Sequence, residues 1–185
     1  MKKHMDGLTL IELLVVVSIT AILATVALPS MNTLIAETRI RSGTAMLASM
    51  MKFARMQAVT RNDPVTLCPS EDGAGCGEAN DWSRGVMAFV DLNDNRHRDD
   101  NEELLGYRQM NRNLHIFSGA DPGITGNSRK RVVFSPAGSA AGYTISVKFC
   151  SPGSGTPPAV LILQNSGRIR LSDRDGSGRK PACDA

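Results

Sequence analysis

The sequence predicts an α+β fold in which one long N-terminal helix packs against an antiparallel β domain. An apolar run and then apolar residues at helical spacing extend to Asn62-Asp63-Pro64, which stops the helix. After Pro64, short apolar runs alternate with Gly, Pro, Asn and Ser, which is typical of strands joined by turns. A chain of 185 residues is long enough for one ordinary domain plus one extra element.

The charge of the chain is small in total but unevenly distributed. The net charge is +3, whereas residues 1–62 carry +4, residues 63–103 carry −8 and residues 104–185 carry +7. The total alone does not predict a nucleic-acid-binding protein. An acidic middle and a basic end indicate that different surfaces meet different partners. Aromatic residues make up only 4% of the chain, so few side chains are available to stack on nucleic-acid bases.

The N-terminal segment is long and apolar enough to be a transmembrane helix. Residues 8–28 contain one charged residue, Glu12, and follow Lys2 and Lys3. At about 1.5 Å per residue such a helix spans roughly 30 Å, the thickness of a bilayer core. A secretory signal or an uncleaved anchor also fits this length. Neither explains Glu12, because a carboxylate at membrane depth is costly unless it is paired.

A cut after Gly7 supplies the missing partner, because it creates an α-amine on Leu8, close to Glu12 on the same helix face. The basic start, Gly7 and the segment from Leu8 to Glu12 resemble the leader of type IV prepilins. This resemblance implies that residues 1–7 are a leader peptide and that a prepilin peptidase cuts after Gly7 and methylates Leu8. It also implies that Glu12 neutralises the amine during assembly. Leu8 stands where that family usually has Phe.

Residues 29–62 are predicted to form the second, amphipathic half of the same helix, with one face for a core. Pro29 removes one backbone hydrogen bond and either ends the membrane helix or kinks it. Pilins share a proline near this point, so we favour a kink. The basic residues that fall between the apolar ones are Arg39, Arg41, Lys52, Arg55 and Arg61. The predicted core face comprises Met31, Leu34, Ile35, Ala45, Met46, Met50, Phe53, Ala54, Gln57 and Ala58.

Eight short strands are predicted in the remainder, at residues 65–68, 85–91, 103–108, 114–117, 131–135, 143–149, 159–164 and 168–171. Residues 151–158 are predicted to be a long hairpin loop or a disordered tip, and residues 165–167 a tight turn between the last two strands. This order of elements resembles the GspH/FimT branch of minor pilins and pseudopilins. The resemblance implies that residues 63–185 are a periplasmic β domain with a basic C-terminal tail.

Four cysteines follow the membrane segment, and therefore lie on its far side, which is oxidising in a bacterial envelope. We favour a disulfide between Cys68 and Cys76, which closes a short acidic loop. A second, between Cys150 and Cys183, pins the tail to a strand. A zinc site is the alternative, although the chain has no Cys-x-x-Cys pair and its histidines show no ligand spacing.

The acidic segment from Asp91 to Glu102 has the spacing of a calcium-binding loop. Its oxygen-bearing residues at that spacing are Asp91, Asn93, Asn95, Asp99 and Glu102. However, no glycine lies at the sharp turn, and Arg96 and Arg98 fall among these residues. We therefore expect a solvated acidic turn without a metal, and calcium is the alternative.

The last predicted strand carries the sequence Gly167-Arg168-Ile169-Arg170. With a period of two, Arg168 and Arg170 point to one face, while Ile169 and Leu171 point to the core. The two guanidinium groups then stand about 7 Å apart, close to the spacing of successive phosphates along a nucleic-acid strand. Guanidinium groups suit phosphate oxygens because they donate two parallel hydrogen bonds.

Further cations lie near this strand in the sequence or precede another strand. They are Arg174, Arg179 and Lys180 in the tail, and the run Arg129-Lys130-Arg131. A Gly-Arg-x-Arg pattern near the C-terminus is similar to the motif through which FimT-type minor pilins contact DNA in natural transformation. The resemblance implies that Gly167, Arg168 and Arg170, helped by the other cations, hold DNA phosphates with little sequence preference. The alternative is a solvated strand face and tail.

Motifs typical of enzymes are missing from the sequence: it has no G-x-S-x-G, no H-E-x-x-H and no phosphate-binding P-loop. We therefore predict neither catalysis nor a cofactor. The resemblance implies a minor type IV pilin that starts as a single-pass inner-membrane protein and then enters a periplasmic and cell-surface pilus. Its expected partners are other pilins, prepilin peptidase, the inner membrane and double-stranded DNA. The alternative is a structural minor pilin or a type II secretion pseudopilin without DNA binding.

The leader hypothesis predicts the mass of the protein recovered from cells. The mature chain should begin at a methylated Leu8, because only a cut after Gly7 gives Glu12 its amine. Intact-mass spectrometry of the full-length product measures this directly. An unprocessed Met1, or a cut beyond residue 28, would contradict the hypothesis.

Overall fold

The described part of the chain folds into one long helix and eight strands. The structure, a computed structural model, describes residues 9–119, 130–140 and 142–183, and for residues 26–30 only the backbone. Helix α1 spans Leu10–Arg61. The strands are β1 (Val65–Pro69), β2 (Gly85–Val90), β3 (Leu104–Gln109), β4 (His115–Ser118), β5 (Val132–Phe134), β6 (Ile145–Cys150), β7 (Ala159–Leu163) and β8 (Ile169–Ser172). The predicted α+β fold is confirmed, and each predicted run contains one strand, with ends shifted by at most two residues.

Helix α1 begins and ends at residues with good capping properties. The Thr9 side chain accepts a hydrogen bond from the Glu12 backbone N–H at 3.4 Å, which satisfies one of the free donors of the first turn. At the other end Asn62 adopts a left-handed conformation with φ of 59°. The helix runs through position 29 without a break, so Pro29 does not end it. Among the side chains that the structure describes, no helical segment is both long and apolar enough to cross a membrane.

Only the second half of α1 packs on the β domain. Its buried residues recur at helical spacing, as Ala36, Ile40, Leu47, Met50, Met51, Ala54 and Ala58. The predicted core face is therefore correct from Met50 onward. It is wrong for Met31, Leu34, Ile35 and Ala45, which are exposed. The apolar pattern continues past the point where the sheets cover the helix, and periodicity alone does not mark that point.

The described strands of the β domain form two antiparallel sheets. Their strand orders are β3-β2-β1-β5 and β4-β6-β7-β8. Helix α1 contacts β1, β2 and β5 of the first sheet and β6 and β7 of the second, so one core lies between the helix and both sheets. Trp82 ties the two sheets together, because its segment leads into β2 while its backbone N–H donates to Ile116 O in β4 at 2.7 Å.

Both disulfides have the pairing that the sequence favours, Cys68–Cys76 and Cys150–Cys183. The first covers the outer face of the first sheet, where Cys68 packs with Met87 and Phe89 in a small buried cluster. This cover explains why β1 and β2 are buried on both faces. The second disulfide joins the end of β6 to the tail.

Replacing Leu47 by alanine should test the packing of α1 on the sheets. Leu47 is fully buried in the core cluster, so Leu47→Ala should lower the free energy of unfolding by about 2–5 kcal/mol. The control is Met56→Ala in the same helix, where the side chain is 54% exposed and the expected change is about 0.5 kcal/mol. Urea unfolding of the full-length protein in a neutral detergent measures both. Equal losses would contradict this packing.

Candidate nucleic-acid interface

A tight turn joins β7 to β8 and carries the Gly-Arg-x-Arg motif. The Gly167 N–H donates to Gln164 O at 2.8 Å, and the Gln164 N–H donates to Arg168 O at 2.9 Å. These bonds place Arg168 at the end of the turn and Arg170 inside β8, opposite Ile162 of β7. The turn lies where the sequence predicts it.

Gly167 is required at this turn for two separate physical reasons. Its φ is +75°, a conformation that L-residues with a side chain adopt only at a cost. A Cβ atom added there would also overlap the Gly138 carbonyl oxygen and lie 2.9 Å from Arg55 Nε. The glycine of the motif therefore lets the turn approach α1 and the β5–β6 loop closely.

Arg55 of α1 holds this turn in place. Its Nε donates to Gly138 O at 2.7 Å, its Nη1 to Gly167 O at 3.3 Å and its Nη2 to Ser166 O at 3.3 Å. One guanidinium group thus joins the helix, the β5–β6 loop and the β7–β8 turn. The sequence places Arg55 among the basic residues of α1 and predicts no contact for it. The two loop contacts are far apart in sequence, so no local pattern could have revealed them.

Strand β8 lies at the edge of the second sheet, and both arginines of the motif, Arg168 at the end of the turn and Arg170 in β8, are exposed. Ile169 packs partly against the core, as predicted. The prediction that Leu171 points to the core is wrong, because Leu171 is 61% exposed. Leu171 pairs with the buried Leu161 of β7, but an edge strand has a neighbour on one side only, so its side chains are less well covered.

The C-terminal tail folds back across the face of the second sheet that is opposite α1. In β6, Ile145, Val147 and Phe149 belong to the core under the helix, so alternation puts the intervening residues on the outer face. These outer residues hold the tail: Ser146 Oγ accepts from Gly176 N–H at 3.1 Å, and Lys148 Nζ donates to Ala182 O at 3.1 Å. The Cys150–Cys183 disulfide completes the attachment.

Arg170 shares this outer face with the tail. The register pairs Ser146 with Ile162, and Ile162 with Arg170, so the three side chains form one row across the sheet. Asp175 is buried and organises the tail by accepting hydrogen bonds from the N–H groups of Ser177 and Arg179, both at 2.9 Å. The tail therefore lies beside β8 in a defined conformation.

The cations of β8 and the tail are exposed and have no acidic partner. Among the described residues, Arg61, Arg84, Lys130 and Arg131 form ion pairs with carboxylates. We give the name C-terminal basic face to the five exposed cations of the β7–β8 turn, β8 and the tail. They are Arg168, Arg170, Arg174, Arg179 and Lys180. Arg174 donates from Nη1 to the Gly178 carbonyl at 3.0 Å, which leaves its charge uncompensated.

The second basic run has a different environment. Arg131 Nη2 lies 2.9 Å from Glu78 Oε1, and Lys130 Nζ lies 3.9 Å from Glu78 Oε2. The hydrogen bond and charge of Arg131 lower the pKa of Glu78, so this carboxyl is ionised at neutral pH and neutralises one positive charge of the run. The run precedes β5 of the first sheet, whereas the C-terminal basic face belongs to the second. Arg129 lies outside the described residues.

The acidic loop at residues 91–102 is built around two buried carboxylates. Glu102 accepts backbone hydrogen bonds from Leu92 and Asp99, both at 3.0 Å, and Asp91 accepts from Thr66 Oγ1 at 2.6 Å. The prediction of a solvated turn is therefore wrong for Asp91 and Glu102, because both fasten the loop. Arg96 turns outward, with its guanidinium carbon 5.5 Å from the centre of the Tyr143 ring. Within the described ranges no three His, Cys, Asp or Glu side chains form a metal-binding group.

Of the three predicted processing residues, the structure describes Glu12. Gly7 and Leu8 are outside the described residues, and Glu12 is exposed in the first turn. The cut after Gly7 and the role of Glu12 therefore stay predictions.

A long N-terminal helix packs against antiparallel sheets, and a prepilin-like leader sequence precedes this helix. These two features together define a pilin-like protein. The sequence matches the family described as "Type II transport protein GspH" over residues 44–179 and the "Prokaryotic N-terminal methylation motif" over residues 2–28. The chain belongs to the GspH family of type IV minor pilins and pseudopilins.

Two curated relatives and one solved structure illustrate the similarity. The pilin-like protein PilA1 of Thermus thermophilus is 33% identical over 167 residues, which cover 89% of this chain and 97% of PilA1. The type IV major fimbrial protein FimA of Dichelobacter nodosus is 34% identical over 92 residues, 50% of this chain and about half (54%) of FimA. The type IV minor pilin FimU of Pseudomonas aeruginosa has the same fold. Its TM-score is 0.56 at 18% identity, over 74% of this chain and 90% of FimU.

The two reasons for glycine at position 167 can be separated by a matched pair of variants. Gly153 also has a positive φ, of +67°, but a Cβ added there meets no atom within 4 Å. Gly153→Ala should therefore lower the free energy of unfolding by the conformational cost alone, about 1–2 kcal/mol. Gly167→Ala should cost about 1–3 kcal/mol more, because the turn must also move away from Arg55 and Gly138.

Urea unfolding of the two full-length variants measures this difference. Equal losses of stability for Gly153→Ala and Gly167→Ala would show that close approach to Arg55 is unimportant.

Proposed function

We propose that this protein is a minor pilin that assembles into a type IV pilus and binds DNA for uptake in natural transformation. The DNA-binding surface is the C-terminal basic face, defined above by its five cations. The observation that carries the proposal is that these cations are exposed and have no acidic partner within the described ranges, unlike Lys130 and Arg131. Free guanidinium and ammonium groups bind phosphate oxygens without first breaking an internal ion pair.

The geometry favours contact with the DNA backbone over base reading. Arg170 stands on a flat strand, and neither a recognition helix nor a two-stranded ribbon presents these cations for insertion into a groove. We therefore expect binding to double-stranded DNA with little sequence preference and a steep dependence on salt. We do not assign Arg129, Lys130 and Arg131 to the primary contact, since Lys130 and Arg131 share the carboxylate of Glu78 and Arg129 is not described.

Processing and assembly complete the proposal. Residues 1–7 are removed by prepilin peptidase after Gly7, Leu8 is methylated, and Glu12 pairs with the new amine of Leu8 as the subunit enters the filament. The match to the methylation motif at residues 2–28 supports this part. The protein is then a single-pass inner-membrane protein before assembly. Afterwards it is part of a periplasmic and cell-surface pilus, with other pilins as partners and without an enzymatic activity or cofactor.

A pseudopilin role without DNA binding is the second candidate. It is favoured by the match to a family described by type II transport, which covers most of the chain. In that role the C-terminal basic face would be a solvated surface.

Removing the two arginines of the motif should distinguish the two candidates. Arg168→Gln/Arg170→Gln should weaken binding of a duplex by about tenfold at low salt, because two phosphate contacts are lost. The slope of log K against log salt should fall by about 1.8, or about 0.9 per contact. Electrophoretic mobility shift of the full-length protein in a neutral detergent measures both quantities.

The matched control is Arg108→Gln/Arg112→Gln, which removes the same charge from exposed positions in and after β3, on the other sheet. This control should change the affinity only slightly. If the Arg168/Arg170 variant binds duplex DNA as well as the parent, or if the parent does not bind it, the pseudopilin role is the better assignment.

A further inference from the structure

A groove runs between the second half of α1 and the two loops that Arg55 holds. One wall is a stripe of α1 at helical spacing, from Lys52 to Thr60, and the other is Ala137-Gly138 with Gly167 to Ile169. The groove has a volume of about 540 Å³ and is open to solvent. It therefore adjoins the C-terminal basic face at the glycine turn.

The groove is positively charged without internal compensation. Its lining includes Lys52, Arg55 and Arg168 but no carboxylate. Arg55 donates to three carbonyl groups, which carry no net charge, so its positive charge remains. Lys52 is exposed, and the described part of the chain provides no ion pair to it. Positive groups in a concave site with low-dielectric walls raise the local concentration of anions.

The helix wall of the groove also exposes apolar surface. Met56 and Val59 are 54% and 52% exposed, which is unusual for side chains in the part of α1 that packs on the sheets. A DNA backbone alternates charged phosphates with apolar deoxyribose rings, so it matches cations at the rim and aliphatic side chains between them. A partner that carries only charges would gain no binding free energy from contact with Met56 and Val59.

We propose that the groove holds a segment of DNA backbone and that Lys52 contributes a phosphate contact from the helix. This inference rests on the proposed DNA binding and extends it. The DNA then passes from Arg170 on the outer face, around the turn at Arg168, to Lys52 on α1. Arg55 is a positioning residue, because its guanidinium donors are engaged with the loops.

The test is the affinity of full-length Lys52 variants in a neutral detergent for a duplex of mixed sequence, measured by fluorescence anisotropy at several salt concentrations. Lys52→Gln should bind about threefold more weakly at low salt, and its salt slope should fall by about 0.9. Lys52→Arg should bind like the parent, because it keeps the charge. Arg108→Gln is the control of equal charge on the other sheet and should leave the slope unchanged.

The outcomes separate this inference from the proposed function. If Lys52→Gln keeps the parent's affinity and slope while Arg168→Gln/Arg170→Gln loses them, the groove is not part of the interface, although DNA binding stands. If neither variant differs from the parent, DNA binding by this surface is overturned as well. An unchanged thermal unfolding midpoint for Lys52→Gln excludes misfolding as the reason for weaker binding.

Discussion

The guanidinium group of Arg55 is the interaction on which the arrangement of the basic surface depends. It connects α1 to Gly138 in the β5–β6 loop and to Ser166 and Gly167 in the β7–β8 turn. Without it, the turn that carries Arg168 would be held to the helix only by packing. Burying part of a charged group is tolerable here because each of its nitrogen donors that enters the interface finds a carbonyl oxygen.

The basic residues fall into two groups: those that make contacts within the fold and those that are exposed and able to bind a partner. Arg61, Arg84 and Arg131 have carboxylate partners, and Arg55 and Lys148 are engaged with backbone carbonyls. The cations of β8 and the tail remain exposed without such partners, since the acidic residues are concentrated at 63–103, in segments around the first sheet. The uneven charge of the sequence thus becomes an uneven charge of the two sheets, which a net charge of +3 conceals.

Local patterns were sufficient to predict the helix, all eight strands and the glycine turn, because each depends on periodicity or on residues with special backbone preferences. Features that depend on long-range contacts were not predictable in this way. The division into two sheets, the burial of Asp91 and Glu102 and the exposure of Leu171 all depend on which segments cover one another. The tail is an intermediate case: the pairing of Cys150 with Cys183 indicates that it is attached, but not which face it crosses.

The placement of the basic face makes DNA binding compatible with assembly. The first half of α1 exposes large apolar side chains, such as Leu10, Ile11 and Leu13, that are stable only when lipid or other apolar surface covers them. The tail and Arg170 lie on the face of the second sheet opposite α1, because strand alternation assigns the helix-facing positions to the core. In the proposed filament, neighbouring subunits that cover the apolar half of the helix would leave this outer face free for the proposed DNA. The same alternation explains why substitutions of Arg170 should affect binding without disturbing the core.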